Sequence, residues 1–126
     1  MKAMRYVPGV DIGTTGVKAL LASEARDVNS SASVEYPLLT PRPNQAEQEP
    51  QTWWQAIVAA TRNCLDKARA TSSKEVEVAP VGLFGQIHSS VFLGTDGEVL
   101  RPAILWCDQR TEPQCREITD TLGTDI

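Results

Sequence analysis

Histidine is nearly missing from this sequence: His88 is the only one. A metal site built on two imidazoles is therefore excluded. Cysteine is scarce and odd in number, with Cys64, Cys107 and Cys115 and no C-x-x-C spacing. That pattern argues against a disulfide framework or a zinc site and fits a reducing compartment, the cytoplasm. No apolar run approaches the roughly 18 residues that cross a bilayer, so no membrane partner is expected. Met1-Lys2-Ala3-Met4-Arg5 leads into no secretory h-region. Lysine and arginine form no cluster and the formal net charge is −4, so nucleic acid is not expected as a partner either. What is present suffices for a core: 126 residues, 41% of them hydrophobic, make one compact unit the default.

The densest chemistry lies near the start, in Val10-Asp11-Ile12-Gly13-Thr14-Thr15-Gly16-Val17-Lys18-Ala19. An apolar run leads into one carboxylate, two glycines bracket two threonines, and a lysine precedes a second apolar run. The pattern predicts strand, tight turn, strand, with the glycines free to take positive φ. A ligand could approach the bare backbone there, and successive N–H groups, both hydroxyls and Lys18 could converge on an anion. Asp11, at the strand end, is placed to hold Mg²⁺ directly or through water. The same string is also a good hairpin turn with no ligand, Lys18 then being the solvent-facing member of an alternating strand. It is neither a Walker A loop, since G-x-x-x-x-G-K-S/T is absent, nor a G-x-G-x-x-G fingerprint.

Residues 4–11 and 17–23 read as the first two strands. Pro8-Gly9 places the first at a sheet edge, at a bulge, or starting late. Residues 31–39 offer a third strand around Val34 and Tyr36. A polar, proline-rich loop over 40–50 follows. Pro50 suits the first turn of a helix reaching about residue 70, with Trp54, Ile57, Thr61, Cys64, Leu65 and Ala68 on its buried stripe. Trp53 and Trp54 are read as anchors of this helix on the sheet. Residues 78–87 have the length of a buried strand entered after Pro80. Thr95-Asp96-Gly97-Glu98 reads as a hairpin turn, and Ala103–Trp106 as another short apolar run. Thr111, Pro113 and Gln114 open a last helix with Cys115, Ile118 and Leu122 inward, and Gly123 ends it. The order β-β-β-α-β gives an α/β fold with a mixed sheet, the helix returning the chain to a parallel fourth strand.

Gln86 and His88 end the expected buried strand, and Trp106, Asp108 and Arg110 end another apolar run. Polar groups at strand ends in α/β sheets often form sites. An aromatic face beside a carboxylate and an imidazole is a plausible grip for a polyol. A structural histidine and a salt-bridged helix entry at Asp108-Gln109-Arg110 explain the same residues. Cys107 is read as a small buried hydrophobe.

Several collinear segments together resemble the FGGY carbohydrate kinases. Asp11 to Lys18 is similar to that family's first phosphate motif, and Glu47-Gln48-Glu49-Pro50 with Trp53-Trp54 to its first helix entry. Gly85-Gln86-Ile87-His88 resembles the G-Q-M-H segment of xylulokinases. Asp96 to Thr111 resembles their D-G-x-V-L-R-P-A-I-L-W-N-D-Q-R-T block. Ile87 stands in place of methionine and Cys107 in place of asparagine. Glycerol kinases carry Q-R-E where this chain has Gln86-Ile87-His88, which favours a ketopentose over glycerol.

The resemblance implies an RNase H-like, actin/Hsp70-type fold and ATP- and Mg²⁺-dependent phosphorylation of a sugar hydroxyl, D-xylulose being the example. It implies Asp11 for the metal and catalysis, Thr14, Thr15 and Lys18 for phosphates, and Ile87 and His88 on the sugar side; the reading of the turn and of the strand ends adds Gly13 to the phosphate set and Gln86, Trp106 and Asp108 to the sugar side. Family enzymes are several times longer, so residues 1–126 resemble the first part of an N-terminal lobe. The general base and the adenosine pocket would lie elsewhere. An isolated chain is then expected to be inactive and to self-associate through exposed apolar faces. The competing readings are another actin-like phosphotransferase or ATPase, and a free-standing binding module without catalysis.

Overall fold

The computed structural model describes residues 4–124. The first three strands are β1 (Met4–Ile12), β2 (Gly16–Ser23) and β3 (Val28–Glu35), an antiparallel meander. A two-residue strand, β4 (Glu47–Gln48), precedes the long helix α1 (Pro50–Thr71). After the helix, β5 (Val76–Val78) and β6 (Gly82–Phe84) both run parallel to β1 on its free side. The sheet order is β3-β2-β1-β5, with β6 also beside β1. β7 (Ala103–Ile104) pairs with β4 in a separate small sheet, and α2 (Glu112–Leu122) closes the chain. This is the mixed α/β sheet with a parallel return after the helix that the sequence predicts, with β4 added inside the loop at 40–50.

Alternation builds the core. Tyr6 and Val10 of β1 and Val17, Ala19 and Leu21 of β2 are buried on one face. α1 packs there, chiefly over β2 and β3, through Ala56, Ala60, Cys64 and Ala68. Four small residues at i, i+4 spacing let the helix axis approach the sheet closely. The Ser30 hydroxyl donates to the Cys64 carbonyl at 3.0 Å, and the Cys64 thiol donates to the Ala19 carbonyl at 3.3 Å. Among the described residues no helix is long and apolar enough to cross a membrane.

Several expectations are corrected. β1 is no edge strand; it lies between β2 and the β5/β6 pair, with Pro8 fully buried. The Tyr6 carbonyl accepts from the Ala79 N–H at 2.8 Å, so Pro8, two residues on, presents its missing donor to the same side. That side is where the neighbour breaks between β5 and β6, and no ladder bond is lost. The third strand starts and ends earlier than 31–39, leaving Tyr36 just beyond it as a buried residue.

Residues 78–87 do not form one buried strand. Pro80 lies in the break between two three-residue strands, and α1 does not reach over β6, so Leu83 is 70% and Phe84 71% exposed. Trp54 is on the outer face of α1 at 61% exposed; Trp53 alone anchors inward. α2 buries none of its residues, and Cys107 is half-buried. The Asp96-Gly97 turn forms, closed by Gly94 N–H to Glu98 carbonyl at 2.8 Å with Gly97 at φ 83°, but only the Leu93–Val99 bridge flanks it.

Candidate active site

The turn between β1 and β2 is closed by the Gly13 N–H donating to the Gly16 carbonyl at 3.0 Å. Asp11 and Lys18 are direct cross-strand partners, both exposed on the face opposite α1. Gly13 and Gly16 do not take positive φ, contrary to expectation. Gly16 is required for another reason: a Cβ there would sit 2.5 Å from the Val34 carbonyl oxygen. The turn lies against β3, and the missing side chain permits that approach.

Three side chains from three parts of the chain hold the turn's carbonyls from below. The Tyr36 hydroxyl donates to the Gly13 carbonyl, and the Gln86 amide donates to the same oxygen at 3.0 Å. The Gln48 amide donates to the Thr14 carbonyl at 2.6 Å. Gln48 Oε1 accepts from Trp53 Nε1 and from Gln86 Nε2, both at 2.9 Å. Burial raises the Tyr36 hydroxyl above its ordinary value and the Asp11 charge adds to this, so Tyr36 stays a donor through neutral pH.

Above the turn, a hollow of about 330 Å³ is lined by Asp11 to Thr14, Phe84 to His88, and Trp106. The phosphate-type turn and the Gly85–His88 segment therefore share one cavity. Trp106 Nε1 donates to the Thr14 hydroxyl at 3.4 Å and closes the far side. Ile87 and Trp106 present apolar surface at 66% and 58% exposure. His88 is exposed and holds φ at 59°, a left-handed conformation uncommon for a residue with a side chain. Such strain gathers at functional sites.

Of the expected site residues, Asp11, Gly13, Thr14, Gln86, Ile87, His88 and Trp106 line the hollow. Thr15 and Lys18 follow in the turn and in β2 without lining it. Lys18 instead borders a neighbouring groove across the sheet with Leu20 and Ser31, a groove that shares Asp11 and Phe84 with the hollow.

Asp108 lies outside the hollow with its carboxylate occupied. It accepts from the Ala46 N–H at 2.7 Å, and from Arg110 through the main-chain N–H at 2.9 Å, Nε at 2.8 Å and Nη2 at 2.7 Å. Arg110 holds this carboxyl well below the usual carboxylate range, and Asp108 with Glu47 holds the guanidinium above its own. Glu47 also receives Arg110 at 2.7 Å and Arg101 on the same oxygen. With Leu105 N–H to the Ala46 carbonyl at 3.0 Å, this cluster fastens β4 to β7 and so sets Gln48 beneath the turn.

Sequence reasoning missed β4, Gln48 as a brace, and the Glu47–Arg110 clamp. The helix-entry resemblance at Glu47–Pro50 was the one pointer to them.

The family description "FGGY family of carbohydrate kinases, N-terminal domain" matches residues 6–125. The chain belongs to the FGGY family. It is 38% identical over 120 residues to the xylulose kinase of Lactococcus lactis subsp. lactis, covering 95% of this chain and 23% of that protein. To the gluconokinase of Bacillus subtilis it is 36% identical over 119 residues, 94% of this chain and 22% of the other. The crystal structure of xylulose kinase from Rhodospirillum rubrum superposes with a TM-score of 0.86 at 29% identity, over 96% of this chain and 24% of that one. The chain thus spans about a quarter of the length of the curated relatives it matches. The sheet is the RNase H-like, actin/Hsp70-type arrangement of these FGGY kinases.

Proposed function

We propose that this FGGY domain supplies the sugar-side surface and one phosphate turn of an ATP-dependent kinase acting on a ketopentose such as D-xylulose. The observation that carries the reading is the shared hollow, where Asp11 to Thr14 meets Gln86 to His88 and Trp106. In the reaction a sugar hydroxyl oxygen bonds to the γ-phosphorus of ATP, the bond to the β-phosphate oxygen breaks, ADP leaves, and the hydroxyl proton passes to a base.

This chain's residues bind and orient. Ile87 and Trp106 offer apolar faces to the sugar carbons, and His88 offers an imidazole to a hydroxyl. The free N–H groups of the turn, the Thr14 and Thr15 hydroxyls and Lys18 face phosphate. Asp108 and Gln86 act through their neighbours, Asp108 by holding the loop before β4 and Gln86 by holding Gly13. Asp11 is the one carboxylate lining the hollow and, among the described residues, joins no ion pair. No cluster of three ligating side chains is present among the described residues, which suits Mg²⁺ held by one carboxylate, water and phosphate oxygens. Bound there, Mg²⁺ supplies charge neutralisation for the transferring phosphoryl group.

Since the hollow holds no second carboxylate to take the proton, residues 1–126 alone are expected to turn over no sugar. Free Cys64, Cys107 and Cys115 support the cytoplasm as the compartment. The test is ADP release by the full-length protein against D-xylulose, gluconate and glycerol with Mg²⁺ present. D-xylulose is expected to be the best acceptor. A preference for gluconate or glycerol overturns the substrate, and no sugar-dependent ADP release overturns the kinase reading.

A further inference from the structure

We infer that Gln48 is a positioning residue for the phosphate turn, acting with Gln86 and oriented by Trp53. This rests on the phosphate-binding role of the turn proposed above. The argument starts from the planar trans peptide, in which the C=O of one residue and the N–H of the next point in opposite directions. Gln86 and Tyr36 draw the Gly13 carbonyl inward, which turns the Thr14 N–H outward. Gln48 draws the Thr14 carbonyl inward at 2.6 Å, which turns the Thr15 N–H outward. Among the described residues neither of these two N–H groups donates a hydrogen bond, so both remain available to an anion.

The direction of the Gln48 amide is forced. Trp53 Nε1–H is only a donor, so it fixes Gln48 Oε1 toward itself and leaves Nε2 facing the Thr14 carbonyl. Gln86 spends both amide hydrogens, on Gly13 and on Gln48, and its own Oε1 stays buried without a partner. An orphaned buried acceptor costs stability, and the orientation that accepts this cost is the one that secures the turn. The Gln48–Gln86 bridge also joins the turn to the segment that carries Ile87 and His88.

The test is steady-state kinetics and melting on the full-length protein with Gln48→Glu and Trp53→Phe. Gln48→Glu keeps the size and the acceptor for Trp53 but sets an oxygen against the Thr14 carbonyl. Misplacing the turn is expected to lower kcat by about 10²-fold and to raise KM for MgATP, with KM for D-xylulose within about threefold of the parent. Trp53→Phe removes the orienting N–H together with part of the indole's packing against the core, so its Tm is read alongside; a smaller loss with the same MgATP bias, larger than the Tm change accounts for, is expected. If both KM values rise together in step with a lower Tm, or if MgATP use is unchanged in both variants, the inference is overturned. A parent with no sugar-dependent ADP release fails earlier, at the kinase reading itself.

Discussion

The two halves of the central sheet carry similar apolar runs and are treated differently by the fold. On the β2–β3 side, Val17, Ala19 and Leu21 disappear beneath α1. On the β6 side, Val81, Leu83 and Phe84 stay open, because α1 lies over β2 and β3 and nothing else among the described residues covers them. An apolar run fixes what a strand would bury, whereas the tertiary partner decides whether it does. The site sits on the boundary between the halves, with the braced turn reaching from the roofed side and Phe84 to His88 from the bare side.

The sharpest way to break this comparison is to cut one large side chain from each half. Leu21 is fully buried, so Leu21→Ala should cost about 2–5 kcal/mol, the lost transfer energy plus the cavity. Phe84→Ala, at 71% exposure, should stay within about 0.5 kcal/mol of the parent. Urea denaturation of both variants checks this, and equal losses would show that the β6 side is covered after all.

Next comes the clamp that ties the C-terminal segment to the roofed half. Glu47 is nearly buried beneath Arg101 and Arg110. Glu47→Ala leaves two guanidiniums without their shared acceptor, and breaking such a pair typically costs about 3–5 kcal/mol when fully buried. Arg101 and Arg110 are partly solvated, so the lower end, about 2–3 kcal/mol, is expected. The accompanying readout is tryptophan emission in a Trp54→Phe, Trp106→Phe background, where Trp53 alone reports and should change as β4 and Gln48 loosen. An unchanged urea midpoint would remove the clamp from the account.

The same cluster predicts a pH signature. Arg110 holds the Asp108 carboxyl below its ordinary value, so the folded chain binds fewer protons there than the unfolded chain does. The stabilisation is complete above the unfolded value, about 3.9, and is lost as pH falls through the lower folded value. The stability gap between the parent and Asp108→Asn should therefore be flat from about pH 8 to about pH 5 and narrow only below about pH 4. A gap that closes between pH 7 and 5 would contradict it.

Legibility followed the same division. Pro50 announced α1, Asp11 to Lys18 announced the hairpin, and Asp96-Gly97 announced its turn, because each is a local effect of backbone chemistry. The exposure of β6 and α2 was not legible, since their apolar positions name a face without naming what lies against it. Gln48 and Glu47 were hidden in a polar loop. Their partners at Thr14, Gln86, Arg101 and Arg110 lie tens of residues away, and no spacing rule connects them. Asp108 looked like a sugar ligand because its type is right, but its partners are protein groups.

His88 is expected to yield little change in stability and separates structure from chemistry most cleanly. Its side chain is exposed and its φ is 59°, so the protein holds it in a strained backbone without gaining burial. If the strain serves only the chain's path, glycine should replace histidine freely. His88→Gly relieves the conformational cost of about 1 kcal/mol for a left-handed residue but adds unfolded-state entropy, and the two nearly cancel. His88→Ala keeps the strain without the imidazole, so the strain cancels in the comparison and the loss of an exposed side chain should leave stability within about 0.5 kcal/mol of the parent. Both variants should lose D-xylulose use in the full-length protein to a similar degree, with KM for MgATP little changed, because both remove the same imidazole from the hollow. If His88→Gly retained parental sugar kinetics, the left-handed backbone alone would be the feature that matters at this position, and the imidazole would leave the site.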